Sequence, residues 1–268
     1  MKLLFSEYKS DYTHYVYPYA IWAVPEPGET PARFFARGFL PGTPNLERFY
    51  LCRHLRVDLR RFQPSSENRR ILRKGPALTG HLVPRGEFDY TPAHRQRWCA
   101  YAEVRWGQGI MSAQRLDGLL AGKVVSHLLR FRDSNGAEVG DALLYLEGPA
   151  MAFYYYAFYD LNWLSRSLGM FMMTWTVDHF ARTGLQHLYL GTCYSERALY
   201  KTQFEGIEFF NGFTWSSNLD ELKYLLRREQ RPIDNHLLAT PEYRDQFHRG
   251  NLGEIAAASG FSLDLHPE

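Results

Sequence analysis

The central third of the chain carries its clearest hydrophobic patterning. Residues 123–132 alternate apolar and polar positions, which predicts a β-strand. Asn135-Gly136 follows as a hairpin turn signal, and residues 139–146 return as a second strand. Gly148-Pro149 turns the chain again, and residues 151–159 read as a third strand. The period then changes. Residues 166–183 fit a helix closed by Gly184 as its C′ residue, residues 187–191 a short buried strand, and residues 209–215 a last strand. Between these strands, residues 198–204 suit a short basic-aromatic helix. Upstream, residues 92–106 predict a helix with Thr91 as N-cap and Pro92 in its first turn, and residues 112–121 predict another. The order is an antiparallel meander, a helix, then a neighbouring strand.

The flanks differ. Pro18, Pro25, Pro27, Pro31, Pro41 and Pro44 punctuate the first 88 residues, which predicts short elements in an irregular cap. Helical candidates at 241–249 and 252–259 close the chain. The expected division is therefore an irregular, basic region over 1–88, a core over 89–232 and a helical tail over 233–268.

At 268 residues the chain suits one large domain or two small ones. Aromatics reach 16%, which favours an aromatic core with half-buried tyrosines over dedicated base-stacking surfaces. The formal charge of +2 is too small to select a partner, so its distribution matters more. Cys52, Cys99 and Cys193 are too widely spaced for a disulfide framework or a Cys-x-x-Cys knuckle, which predicts reduced thiols and a cytoplasmic setting. The apolar run Leu3-Leu4-Phe5 is too short for a signal peptide, and no run of eighteen apolar residues predicts a membrane span. Oligomeric state leaves no trace in the sequence.

Two segments carry candidate chemistry. The first is Arg166-Ser167-Leu168-Gly169-Met170-Phe171, where a helix begins after a strand and offers free N–H groups and a positive dipole end. It resembles the pyrophosphate loop of coenzyme A acetyltransferases, Arg/Gln-x-x-Gly-x-Gly/Ala. The bulk of Phe171 at the last position is expected to obstruct a pyrophosphate cradle, which points to another acyl donor. Alternatively, Gly169 serves close helix packing. The second segment, residues 52–74, holds eight Lys/Arg against Asp58 and Glu67, with Ser65 or Ser66 capping a helix. Arg56, Arg69, Arg70, Arg73 and Lys74 are candidates to neutralise RNA phosphates, the alternative being a solvated helix face.

Together these segments resemble the aminoacyl-tRNA–protein transferases, the eukaryotic arginyltransferases and bacterial aspartate/glutamate leucyltransferases. The family's cysteine, R-V pair and F-x-P-S-x-S-x-R-R run match Cys52, Arg56-Val57, Phe62, Pro64, Ser65, Arg69 and Arg70, with Glu67 in place of the second serine. Its later stretch matches Phe158-Tyr159-Asp160, Ser167-Leu168-Gly169, Tyr189 with Gly191, and Tyr200-Lys201 with Phe204; Leu161 stands where the family has proline. The family's further N-terminal cysteines are missing, so one thiolate remains and no metal or cluster is expected.

The resemblance implies an α+β fold of the N-acetyltransferase type, a mixed, largely antiparallel sheet flanked by helices. It implies aminoacyl-tRNA as acyl donor with no cofactor, and protein or peptide N-termini as acceptors. Arg or Leu would pass from tRNA to the α-amine of a protein with an acidic N-terminal residue, marking it for N-degron turnover. Asp160 is the candidate general base, or else a loop-capping aspartate. Tyr159 and Tyr194 are candidate donors to the oxyanion. Arg166, Ser167, Leu168, Gly169 and Tyr189 are expected at the substrate. Arg197 and Lys201 are placed to meet tRNA phosphate or an acidic side chain, and Tyr200 to stack on the terminal adenine or join the core. His179 and His187 read as structural, and Cys193 has no evident base. Two other readings stay open, an acyl-coenzyme A N-acetyltransferase and an inert tRNA-binding relative.

Overall fold

The computed structural model describes residues 1–13, 16–74 and 78–261. In chain order the elements are β1 (Lys2–Glu7), β2 (Tyr19–Val24), α1 (Pro31–Ala36), β3 (Phe39–Pro41), β4 (Phe49–Leu51), β5 (His54–Asp58), α2 (Ser66–Lys74), β6 (Thr79–Pro84), α3 (Pro92–Trp106) and α4 (Ala113–Ala121). They continue as β7 (His127–Arg132), β8 (Glu138–Glu147), β9 (Met151–Tyr159), α5 (Leu168–Arg182), β10 (His187–Thr192), β11 (Ile207–Phe210), β12 (Trp215–Ser216), α6 (Leu219–Arg228), α7 (Pro241–His248) and α8 (Leu252–Ala258).

Eight strands form one sheet in the order β12-β11-β5-β10-β9-β8-β7-β6, and four form a smaller one, β1-β2-β4-β3. The β7-β8-β9 meander closes through the expected turn, where the Asp133 carboxylate accepts from the N–H groups of Asn135 and Ala137, each at 2.9 Å. Among the described residues, only the β9–β10 pairing of the large sheet is parallel, because α5 carries the chain across between them. A meander, a crossover helix and a parallel strand in a mostly antiparallel sheet give the N-acetyltransferase-like α+β class expected from the sequence.

Both faces of the sheet are covered. On one, α5, α2, α6 and α7 bury Phe171, Met172, Val177, Leu222 and Tyr243 against Leu144, Ala152 and Leu188. On the other, α3 and α4 pack Trp98, Leu116 and Leu120 onto Leu128, Leu143 and Phe158. The small sheet and α1 cover the rest through Phe34, Phe35 and Phe49 against Phe153 and Tyr189. Among the described residues, no helix is long and apolar enough to cross a membrane.

Several elements depart from expectation for local reasons. The first strand of the meander begins at His127 rather than 123. The helix begins at Leu168 because Ser167 takes a left-handed φ of 56° and Leu161–Arg166 form a 3-10 turn. The strand expected over 209–215 breaks into the β11–β12 hairpin, whose turn is held by the Asn211 side chain accepting from Phe213 and Thr214 N–H at 3.2 and 2.9 Å. The largest departure lies in residues 1–88. There β5 inserts between β10 and β11, with Val57 opposite Leu188 and Ile207, and β6 forms the far edge of the sheet. The tail is tied in by Glu221, 2% exposed, which accepts from Tyr243 Oη at 2.6 Å, Asn211 Nδ2 at 3.0 Å and Ser216 Oγ at 2.6 Å.

Candidate active site

β9 and β10 pair at only three positions, ending at Phe153 opposite Tyr189, and then part. Each is bulged just beyond. Tyr155 is the extra residue of β9 against β8, and Leu190 that of β10 against β5. Bulges bend and re-aim a strand, so the two diverge into a wedge that opens at their C-terminal ends. The N-terminus of α5 follows β9 on that side, where first-turn N–H groups and the helix dipole favour an electron-rich group.

Aromatic side chains line the wedge. Gly169, in the first turn of α5, lies against Tyr159; a Cβ there would come within 2.9 Å of its Cε1 and 3.2 Å of its hydroxyl. Gly169 therefore lets the Tyr159 phenol sit over the helix start. Tyr159 hydrogen-bonds with Tyr101, whose phenol is raised by burial, then by that bond. The Tyr154 hydroxyl is fully buried and has no hydrogen-bond partner among the described residues. The groups facing it are the phenols of Tyr200, Tyr101 and Tyr159, and burial holds its pKa well above the usual range. Lys201 Nζ donates to the Thr192 carbonyl at 3.2 Å beside Gly191, and burial lowers its pKa against the opposing pull of the Cys193 thiol.

The other face of the wedge is organised by Arg53, 7% exposed. Its Nε donates to the Cys193 carbonyl at 2.9 Å, its Nη2 pairs with Glu229, and its guanidinium lies 4.6 Å above the Tyr194 ring. The Tyr194 hydroxyl accepts from Arg53 N–H at 2.7 Å. Tyr50 hydrogen-bonds Cys52, whose thiol burial pushes up to about 12. Such a thiol is protonated and inert, and burial also raises Cys193, so neither is an activated nucleophile.

No protein-family model matches the chain. Its sequence aligns with the aspartate/glutamate leucyltransferase of Alkalilimnicola ehrlichii at 28% identity over 178 residues, 64% of this chain and 73% of that protein. It aligns with the same-named protein of Thiobacillus denitrificans at 27% over 192 residues, 69% of this chain and 78% of that protein. The chain resembles the aspartate/glutamate leucyltransferases. Among solved structures, it shares a TM-score of 0.39 with one containing the GCN5-related glucosamine N-acetyltransferase region of a fungal multi-domain β-N-acetylglucosaminidase, at 13% identity, covering 59% of this chain and 20% of that one.

The residues read as leucyltransferase-like from the sequence divide in space. Tyr159, Leu168, Gly169, Tyr200 and Lys201 gather at the wedge and α5, although the Leu168 side chain is buried and only its backbone faces outward chemistry. Ser167 is exposed and makes no side-chain cap. Tyr194 reaches the opposite face, and Arg197 is exposed nearby on the 3-10 turn Glu196–Thr202. Asp160 lies on the β8 side of β9, where its N–H donates to Val139 O at 2.9 Å and its Oδ1 accepts from Asn162 N–H at 3.0 Å. The loop-capping role is thus the one its contacts show. The side chains of Arg166 and Lys74 lie outside the described residues.

Three expectations need correction. Phe171 does not obstruct the helix start. Two residues on from Gly169 it points about 200° away around the helix, into the core, 6.2 Å from the Phe131 ring centre; the space is filled by Tyr159 instead. Tyr189 is 2% exposed between Phe35 and Trp215 and its hydroxyl is already hydrogen-bonded with Arg56, so it packs rather than meets substrate. Arg56 is 13% exposed, donates to Glu208 Oε2 at 2.8 Å and stacks 3.9 Å over Trp215, which removes it from a phosphate surface.

On α2, Ser65 is the N-cap, exchanging 3.1 Å bonds with Asn68. Arg69, Arg70 and Arg73 are exposed, with Arg70 paired to Glu67. Sequence reasoning missed Tyr154 and Arg53. The alternation of residues 151–159 puts Tyr154 on the same face as Ala152, which was a usable signal. Among the described residues, no three His, Cys, Asp or Glu come together to hold a metal ion.

Proposed function

We propose that the protein transfers a leucyl group from aminoacyl-tRNA to the N-terminal α-amine of a protein with an acidic first residue. The observation that carries this reading is the start of α5, which Gly169 and Tyr159 present at the wedge, with the buried, unpartnered Tyr154 hydroxyl behind Tyr159. A hydroxyl without a partner in a closed site is a donor held ready for charge that appears during reaction.

The chemistry asks for positioning more than activation. An α-amine with a pKa of about 7.7–8.0 is substantially neutral at physiological pH. It attacks the ester carbonyl, forming the C–N bond. The tetrahedral oxyanion takes the Tyr154 proton as a hydrogen bond, with the α5 N–H groups behind it. The C–O bond to the tRNA ribose then breaks, and the proton lost by the amine ends on the ribose oxygen. Holding amine and ester together supplies most of the acceleration. Lys201 offers positive charge at the wedge to the tRNA 3′ end, Tyr200 offers a half-exposed ring to its terminal base, and Arg69, Arg70 and Arg73 offer a basic face to its backbone.

Leucine is favoured over arginine. The groups facing Tyr154 are phenols, and Glu229, the carboxylate near Cys193 and Tyr194, is already paired with Arg53. A second guanidinium would lack a free counter-charge there. Aminoacyl-tRNA places the reaction in the cytoplasm, needs no resident cofactor, and would mark acidic N-termini for turnover.

The test is incubation of purified protein with charged tRNA pools and peptides beginning with Asp, Glu or Ala, read by mass. A leucyl increment on the acidic-start peptides supports the proposal. An arginyl increment corrects the donor. No increment with tRNA bound points to an inert relative, and no increment without tRNA binding returns the reading to coenzyme A thioesters.

A further inference from the structure

Behind Tyr159, on the face of the sheet covered by α3, lies a cleft of about 360 Å³ between that helix and the ends of β8 and β9. It is large enough for one or two residues of a peptide. Its wall is aromatic: Trp98 stacks on Phe158 at 5.0 Å, and Tyr101 meets Tyr159 edge-on at 4.7 Å. Its lining also carries charge, through Arg97, Glu138, Asp141 and Asp160.

Most of that charge is already used. Asp141, 3% exposed, accepts from Arg130 Nε at 3.0 Å. Glu138 pairs with Arg130 and faces His94 Nε2 at 3.4 Å. Two groups keep capacity. Arg97 is 54% exposed and contacts Glu138 through Nη2 alone, at 3.1 Å, which aims the guanidinium without consuming its donors. Asp160 is exposed, and among the described residues only the Asn162 N–H occupies its carboxylate. The cleft thus offers a cation held to Glu138 through one nitrogen, and an anion with an oxygen to spare, beside an aromatic pocket. Arg130 and Arg97 face Glu138, Asp141 and Asp160, and a ligand bearing one charge of each sign leaves that net charge unchanged.

We propose that this cleft is the acceptor pocket, and that it recognises the first residue of a protein beginning with an acidic side chain. The α-ammonium meets Asp160, the side-chain carboxylate meets Arg97, and the rest of the peptide leaves toward solvent. The inference rests on the transfer reading above and adds to it a second site. Tyr159 forms the shared wall: one side of its ring lines the cleft and the other lies against Gly169 at the start of α5. The cleft therefore selects the acceptor before transfer, and the amine must leave Asp160 and pass the edge of Tyr159 to attack the ester in the wedge. The cleft also accounts for Asp160 standing at the end of β9 with a carboxylate oxygen to spare.

The experiment measures equilibrium binding of fluorescent peptides beginning with Glu, Gln, Lys or Nα-acetyl-Glu, with no tRNA present. The wild-type protein is expected to bind the Glu-start peptide at least tenfold more tightly than the Gln-start or acetylated one. Arg97→Glu is expected to erase that preference and favour the Lys-start peptide. Asp160→Asn is expected to remove the penalty for acetylation. Arg97→Gln is a milder control, and unchanged tRNA binding reports that each variant is folded. Loss of the preference in Arg97→Gln as well supports the assignment. No preference in the wild type, or a Glu preference that survives both Arg97 variants, overturns it. Leucyl transfer to acidic peptides that is untouched by Arg97→Glu overturns the pocket and leaves the transfer reading standing. Selective binding without any transfer does the reverse.

Discussion

Gly169 and Tyr159 are fitted to each other: the phenol ring lies where a side chain on the helix start would be, 2.9 Å from its nearest atom. Gly169→Ala replaces a glycine in the first turn of the helix, a gain below the roughly 1 kcal/mol of a helix interior, but drives the ring from its place. The expected outcome is a melting temperature near that of the wild type and a transfer rate lower by about tenfold or more, since small misplacements of a site wall are amplified in rate. A variant with unchanged rate would show that Tyr159 does not shape the site.

Tyr154→Phe separates function from stability. The wild-type hydroxyl is buried and unpartnered, a state that costs about 1–3 kcal/mol. The variant should be as stable as the wild type or more so in chemical denaturation. Its transfer rate should drop by about 10²-fold, the effect of losing one oxyanion donor. Higher stability with full activity would remove Tyr154 from the mechanism.

His54 should make the fold acid-sensitive. It is fully buried; its Nδ1 lies 3.0 Å from the Cys52 carbonyl and its Nε2 has no partner among the described residues. Burial, then the neighbouring Arg56, lowers its pKa from 6.5 to about 3. Unfolded chains therefore bind a proton that the native state refuses, and stability declines as pH falls from about 6.5 toward 3, by up to about 1.4 kcal/mol per pH unit for this one proton. His54→Phe keeps an aromatic ring beside Trp215, 5.0 Å away in the wild type. Its stability profile, measured by denaturant titration across pH 4–7, should be flatter than the wild-type profile.

Arg69 and Arg70 stand exposed on α2, and Arg70 shares its charge with Glu67. An exposed pair of this kind contributes about 0–1 kcal/mol, so Arg69→Ala with Arg70→Ala should barely alter the melting temperature. tRNA binding should weaken, and the slope of log affinity against log salt should flatten by about 1.5–2. Unaltered salt dependence would place the tRNA backbone elsewhere.

The meander and α5 were legible because their signals are local: a two-residue period, an Asn-Gly turn, a glycine stop. The role of β5 was not. Its five residues, HLRVD, carry no strong period, and its partners arrive with β10 and β11. Arg56 is a similar case, since its partner Glu208 is 152 positions away in the chain. Composition showed a basic run without showing which charges were spent internally. Phe171 was misplaced by helix phase, and Tyr154 was overlooked because its isolation depends on the bulge at Tyr155 and on rings from α3 and the 3-10 turn after β10. Asp160 was legible as either base or cap; its contact with Asn162 shows the cap, and its free oxygen leads to the cleft.

The insertion of β5 between β10 and β11 also sets a timetable for synthesis. Asp58 pairs with His187, so β5 leaves the ribosome roughly 130 residues before its first partner, an interval on the order of ten seconds at ordinary elongation rates. During that time a strand with Leu55 and Val57 on it has no sheet to join. Contacts so distant along the chain slow folding and leave unpaired strand edges open to other chains. The nascent protein should therefore depend on chaperone holding until residue 210 has emerged, and a fragment beginning after β5 should aggregate through the exposed flanks of β10 and β11.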